Sequence, residues 1–548
     1  MVTKIHSKWL WLIILAVLVN ASGMFSPILN SNDAYFYAVI SKNIVQSHDW
    51  VNLIYGGKDW LDKPHFPFWM TALSFKIFGI NSFAYVLPGF VFHCLGAYFT
   101  YRLACDLYNR ETGLVAALIY ATSLHLMLSA LDIRAEAFLL GEIMPAVYFW
   151  WHYNRTPKLS YLLLGGLFTG LALMTKGLFV VVTIWGGFFI LWCYQRRFCE
   201  FLRLKWLVAY VVSAIFLLPE LVCLYLQLDT HPEKVIFGSN HVSGIKWYFW
   251  GSQFGRFFNS GPISNNHGNP LFFVHTFLWA FLPWSVIFIL ASYSQVKKFR
   301  TLAGDEREKL IFINASFWLS FIMFSATKFQ LDHYTNIIMP FAAILCARYV
   351  LTAQGILEQR LALIQRTLSY TLLLVLVVLI FVILKIQLLA FIVVFPLIFG
   401  ISFLLYPRKS RLQQILLMPA LSIMVVLFVL EDINMEVYAP YDNGYSVAKA
   451  LNNAPNYPLY SQNVTALINS LTFHSNLRVS DVTMPPASYP YYLVINHEQL
   501  VDLNNYDYQV LNSFSGLPME KFIPALISAK NMQHSLVNID VLLVTAKK

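Results

Sequence analysis

Apolar runs of roughly 17–20 residues recur along the first 430 positions, and each is long enough to cross a hydrocarbon core as a helix. Thirteen are read: about 9–28, 83–104, 113–131, 137–153, 160–175, 177–194, 206–226, 271–294, 310–326, 336–351, 369–385, 387–405 and 413–430. With 58% hydrophobic and 12% charged residues, a chain of 548 residues in this pattern is not a soluble globular protein. It is a polytopic membrane protein.

Lysine and arginine placement sets the expected orientation. With Lys4 and Lys8 inside, the inner loops hold Arg102, Arg110, Arg155 and Lys158, then Arg196, Arg197, Arg203 and Lys205. Later inner loops hold Lys297, Lys298, Arg300, Arg307, Lys309, Arg348, Arg360, Arg366, Arg408, Lys409 and Arg411. The alternation works only if residues 160–194 cross twice, turning near Lys176. The net charge of +10 is thus a consequence of topology and carries no nucleic-acid meaning. An odd number of spans places residues 431–548 outside, where the composition shifts to Asn, Asp, Tyr, Pro and Ser. Tyr491–Ile495 and Val541–Val544 read there as buried strands of a small domain. The first span reads as an uncleaved anchor. No cysteine lies in the tail or the outer loops, so no disulfide framework is expected there.

Ionisable groups at a membrane boundary are costly and point to function. The outer loop 30–82 brings Asp33, Asp62 and Lys63, and its stretch 34–46 reads as an interfacial helix with Lys42 and Asn43 on a polar side. Asp33 could serve there merely as an N-cap. Asp132 and Glu136 flank Arg134 in the next outer turn, as a local salt-bridge cluster or as presented carboxylates. Lys176 lies between two apolar helices, where it either snorkels or meets a lipid phosphate. Loop 227–270 contains Arg256 and His267, and Lys328 through Tyr334 precede the tenth span. Four outer segments each offer a cation (Lys63, Lys176, Arg256, Lys328), which suggests one shared anionic ligand. Phosphate is the natural candidate. No P-loop, Rossmann glycine pattern, nucleophile elbow or zinc-ligand spacing is present. No cofactor is expected to be required, and a divalent metal is left open.

These residues resemble polytopic glycosyltransferases of the protein O-mannosyltransferase type, and within them the bacterial lipid A aminoarabinose transferases. The family's Asp-Glu-x-x-Tyr-Ala element is similar to Asp33-Ala34-Tyr35-Phe36-Tyr37-Ala38. Its Glu-Lys-Pro-Pro-x-x-x-Trp element is similar to Asp62-Lys63-Pro64-His65-Phe66-Pro67-Phe68-Trp69. Its Arg-x-Asp looks like Arg134-Ala135-Glu136, and its Thr-Lys-Gly like Thr175-Lys176-Gly177. Ala34, Phe36 and Glu136 depart from the pattern where donor sugar and acceptor meet.

The resemblance implies an all-α polytopic membrane protein of the C-type glycosyltransferase fold, with about thirteen transmembrane helices and a small α/β periplasmic C-terminal domain. The transmembrane part is expected over 1–430 and the periplasmic domain over 431–548. The implied enzyme moves a sugar from undecaprenyl phosphate to lipid A at the periplasmic face of the bacterial inner membrane. A periplasmic protein is the alternative acceptor. Asp33, with Glu136 second, is expected to act on the acceptor. Lys63, Arg256, Tyr334 and Lys176 are assigned to the donor phosphate, and Tyr37, Asp62, Arg134, Lys328 and His333 to substrate contacts. A transporter or flippase is the reading from another class. The lack of an internal repeat of spans and the gathering of charge on one face count against it.

Overall fold

A computed structural model describes residues 2–265, 268–384, 410–464, 467–484, 488–503, 506–518 and 529–546. The chain opens with α1 (Val2–Asn20), α2 (Asn32–Ser47), a hairpin of β1 (Ile54–Tyr55) and β2 (Lys58–Asp59), and α3 (Phe66–Phe78). There follow α4 (Ser82–Leu107), α5 (Arg110–Ala121), α6 (Leu124–Ser129), α7 (Ala135–Arg155), α8 (Leu159–Lys176), α9 (Val180–Tyr194) and α10 (Leu204–Leu224). Two short helices, α11 (Gly244–Lys246) and α12 (Ser252–Phe258), lie in the next long loop. The bundle continues through α13 (Phe272–Ala280), α14 (Ser285–Lys298), α15 (Gly304–Ala326), α16 (Met339–Thr352), α17 (Ile356–Leu384) and α18 (Arg411–Ile433).

Among the described residues, seven helices are long and apolar enough to cross a membrane, or eight with the bent pair α13–α14 counted as one span. The apolar helices Trp9–Phe25 and α9 are shorter. The expected span 387–405 lies outside the described residues. Residues 160–194 do form two helices, broken after Lys176.

Two expected spans are interrupted, for local chemical reasons. The run 113–131 stops at Thr122 and Ser123, whose hydroxyls donate back to the carbonyls of Leu118 (2.6 Å) and Ile119 (2.5 Å), competing with the helical ladder. The run 271–294 bends by 117° around Pro283, which has no N–H to give the ladder. Carbonyls freed in such a break need partners inside a membrane. Here the Leu282 carbonyl accepts from the Leu124 amide at 2.8 Å, and the Pro283 carbonyl from Gln365 Nε2 at 3.2 Å. The two breaks therefore satisfy one another.

Loops expected on the inner side do meet at one end of the bundle. Arg155 pairs with Asp305 (3.4 Å), Arg348 with Glu306 (3.1 Å), and Gln195 donates to Glu308 (2.8 Å).

The tail carries a five-stranded mixed sheet of β3 (Leu459–Gln462), β4 (Val479–Asp481), β5 (Tyr491–Asn496), β6 (Asp507–Gly516) and β7 (Val537–Thr545), in the order β4-β3-β5-β7-β6. The two stretches read as strands pair antiparallel, Tyr491 opposite Val544 and Val494 opposite Val541. Helices α19 (Asn443–Leu451) and α20 (Ile468–His474) cover one face around Val447, Leu471, Tyr492 and Val541.

The tail docks on α2, and this corrects the expectation of a solvated polar side there. Lys42 is buried, and its Nζ donates to the carbonyls of Thr472 (2.7 Å), Phe473 (3.2 Å) and Ser475 (2.6 Å). Those are orphan acceptors at the end of α20, where a cation is favoured. Asn43 donates to the Ile54 carbonyl at 2.9 Å, and Tyr35 Oη donates to Asp442 at 2.9 Å.

Candidate active site

The site is built where α2, the loop before α3, α7, α8, α12 and the turn Asp332–Ile338 before α16 converge. Asp33 occupies the first turn of α2, yet it is not the N-cap: Ser31 Oγ accepts the Ala34 amide at 3.1 Å. That leaves the Asp33 carboxylate half-exposed, ion-paired with Arg134 Nη1 at 3.0 Å. Arg134 uses its other nitrogens on Asp132, at 2.8 and 2.9 Å, so one guanidinium bridges two carboxylates from distant segments.

Glu136 turns away from that arginine. Buried in the first turn of α7, it accepts from Lys176 Nζ, while His333 Nε2 stands 3.8 Å from its second oxygen. Lys176 ends α8, and its ammonium also lies 3.9 Å from the centre of the Tyr334 ring. Gly177 follows at φ +98°, and a Cβ there would strike Gln253. Glycine is thus required for the sharp exit that leaves Lys176 at the helix end. His333 is held by Asp332 (3.1 Å) and touches Arg134 Nη1 (3.3 Å), which links the two carboxylate clusters.

A third cluster centres on Asp62. Its carboxylate accepts from Lys63 Nζ at 2.6 Å and from Arg256 Nη2, and its backbone carbonyl accepts from Arg256 at 2.8 Å. Burial alone would raise the Asp62 pKa, but the Lys63 and Arg256 cations outweigh it and hold the carboxylate at about 2. For Lys63, burial and the Arg256 charge lower the pKa against the pull of Asp62 and Glu136. Tyr37, buried beneath, has its phenol pushed up by burial and then by Glu136, Asp62 and Asp33. It therefore stays protonated among three carboxylates.

Arg256, Lys176 and Tyr334 also line one small cavity, about 50 Å³, whose other walls include Phe179, Val180, Phe257, Met323 and Phe329. One end carries cations and a phenol; the rest is apolar. Lys328 stands apart: its side chain is exposed, while its backbone joins α12 through Phe257 (2.9 Å). His267 lies outside the described residues. Loop 227–270 covers the hairpin beside Asp62, with Gln227 on the Leu53 carbonyl (3.1 Å), Lys234 on Asp59 (2.9 Å) and Trp247 on the Leu61 carbonyl (2.9 Å).

Among the buried carboxylates that the sequence did not single out, Glu220 in α10 and Glu142 in α7 lie beside the site. Glu220 binds His65, and Glu142 accepts from Thr175 at 2.8 Å, one residue before Lys176. Each sits within an apolar run, and an acid there was the available signal. Among the described residues, no group of three or more His, Cys, Asp or Glu is placed to hold a metal ion.

A structure of ArnT from Cupriavidus metallidurans bound to undecaprenyl phosphate matches with a TM-score of 0.76 over 98% of both chains, at 17% identity. The apo oligosaccharyltransferase of Archaeoglobus fulgidus matches with a TM-score of 0.51 over 90% of this chain and 70% of that one, at 11% identity. The chain thus has the C-type glycosyltransferase fold. Residues 62–222 match the family model of dolichyl-phosphate-mannose-protein mannosyltransferase. Within that class the sequence is similar to undecaprenyl phosphate-alpha-4-amino-4-deoxy-L-arabinose arabinosyl transferase 1 of Pseudomonas fluorescens. The two are 29% identical over 319 residues, 56% of this chain and 50% of the relative. The corresponding transferase of Pseudomonas aeruginosa PAO1 is 28% identical over 292 residues, 49% of this chain and 48% of that one. By sequence, the chain spans about half the length of these relatives.

Proposed function

We propose that this protein is a glycosyltransferase that moves a sugar, most simply an aminosugar, from undecaprenyl phosphate to lipid A at the periplasmic face of a bacterial inner membrane. The observation that carries this is the small cavity of Lys176, Arg256 and Tyr334, whose charged end suits a phosphate and whose apolar rim suits the isoprenoid carbons next to it. The orientation has the N-terminus cytoplasmic and the C-terminus periplasmic. It is supported by the basic inner loops and by the docking of the tail at the α2 end of the bundle.

In the reaction the bond between the anomeric carbon and the phosphate oxygen breaks, and undecaprenyl phosphate leaves with the bonding electrons. Lys63, Arg256 and Lys176 stabilise the charge that develops on it, and the Tyr334 phenol donates to a phosphate oxygen. The acceptor oxygen forms the new bond to the anomeric carbon and gives its proton to Asp33. Arg134 holds Asp33 in place, and His333 together with Glu136 joins that side to the phosphate side. Purified protein, undecaprenyl-phosphate-linked aminoarabinose and lipid A form the test: a sugar-modified lipid A product is expected. Transfer only to a periplasmic polypeptide would replace the lipid acceptor with a protein one.

A further inference from the structure

His65 stands where the matching family element has its second proline, and it is fully buried beside Glu220. Its Nδ1 lies 3.1 Å from Glu220 Oε2, and its Nε2 lies 2.8 Å from the Val51 carbonyl. The carbonyl has no proton to give, so Nε2 carries one. Glu220 Oε2 also accepts the His65 backbone N–H at 2.9 Å, and as a carboxylate it accepts from Nδ1 too. Only an imidazolium donates from both nitrogens.

The groups around this ring are Glu220, Cys223 and Tyr248 from the α10 and α11 side, Asp49 from the loop before β1, and Asp62 and Lys63 on its own turn. Burial favours the neutral ring, but the Glu220 carboxylate outweighs it and holds His65 above the ordinary 6.5. His65 also ends the turn Asp62-Lys63-Pro64, whose Asp62 carboxylate holds both Lys63 and Arg256.

We propose that His65 is a positioning residue: as an imidazolium clamped between Glu220 and the Val51 carbonyl, it fixes the turn in which Asp62 holds Lys63 and Arg256 in place for the donor phosphate. This rests on the donor reading above. A raised histidine pKa has a defined sign. Its stabilisation is complete below the unfolded value and is lost as pH rises through the folded one.

Two measurements on the full chain in detergent test this. The first is the Kd for undecaprenyl phosphate across about pH 6–9. The wild type loses affinity at an alkaline step, beyond the ionisations of the phosphate and of Lys63, which every variant shares. His65→Gln binds about tenfold to a hundredfold more weakly and lacks the step. Glu220→Gln moves the step toward lower pH. A step that persists in His65→Gln, or stays put in Glu220→Gln, overturns the proposal. The second is thermal melting without ligand: the advantage of wild type over His65→Gln should shrink as pH passes the same step. A constant difference would mean ordinary packing and would also overturn it. If the wild type fails to bind undecaprenyl phosphate, the donor reading and the positioning role fall together, while melting still decides whether the imidazolium exists.

Discussion

Asp62→Asn keeps the side-chain volume and the backbone contact to Arg256 but deletes the negative charge between Lys63 and Arg256. The structure sets the size of the effect. The carboxylate is held at about 2 instead of 3.8, a difference worth about 2 kcal/mol at neutral pH. Removing one partner of a buried pair costs about 3–5 kcal/mol. Here the three side chains remain 24%, 17% and 13% exposed, so the lower figure applies. A depressed carboxylate stabilises above its unfolded pKa, and that contribution fades as pH falls toward about 2. The variant should therefore melt well below wild type at pH 7, with the gap closing in acid. Undecaprenyl phosphate then supplies the missing negative charge, so it should raise the variant's melting temperature more than the wild type's. Thermal melting in detergent, with and without that lipid, is the assay. Equal stability at pH 7, or an equal or smaller ligand-induced rise, would refute the reasoning.

Asp33→Asn should abolish sugar transfer while the protein stays folded and membrane-inserted, since general-base help contributes about 10²–10⁴-fold; activity measured on purified protein checks this. Lys63→Ala should raise the donor concentration needed for half-maximal transfer, and an unchanged donor dependence would remove Lys63 from the phosphate. Lys42→Met should weaken tail docking by at least about 2 kcal/mol, because three carbonyls lose a charged donor. Limited proteolysis should then release the tail faster. Gly177→Ala should cost about 1–2 kcal/mol in backbone strain, more with the Gln253 contact, and lower transfer by displacing Lys176; melting and turnover report each part.

Much of this architecture was legible in the sequence because its signals are local. The apolar runs, the break after Lys176 and the strands at 491–495 and 541–544 all follow from short-range pattern. The interruptions at Thr122–Ser123 and Pro283 were also written locally, but the runs on either side are apolar enough to mask them. Pairings were another matter. Arg134 and Glu136 are two residues apart, yet Glu136 belongs to Lys176, forty positions on, because α7 and α8 pack together. Lys42 looked solvated for a similar reason: the carbonyls that receive it come from a tail more than four hundred residues away. Asp62 was read as a substrate contact, and its placement between Lys63 and Arg256 depends on loop 227–270 folding back over the hairpin.

Mass spectrometry of lipid A from cells with and without this protein, with Asp33→Asn alongside, tests the central claim most directly. A sugar-sized mass increment should appear only with the active protein and identify the sugar class. Lipid A of unchanged mass in all three samples would contradict the lipid acceptor.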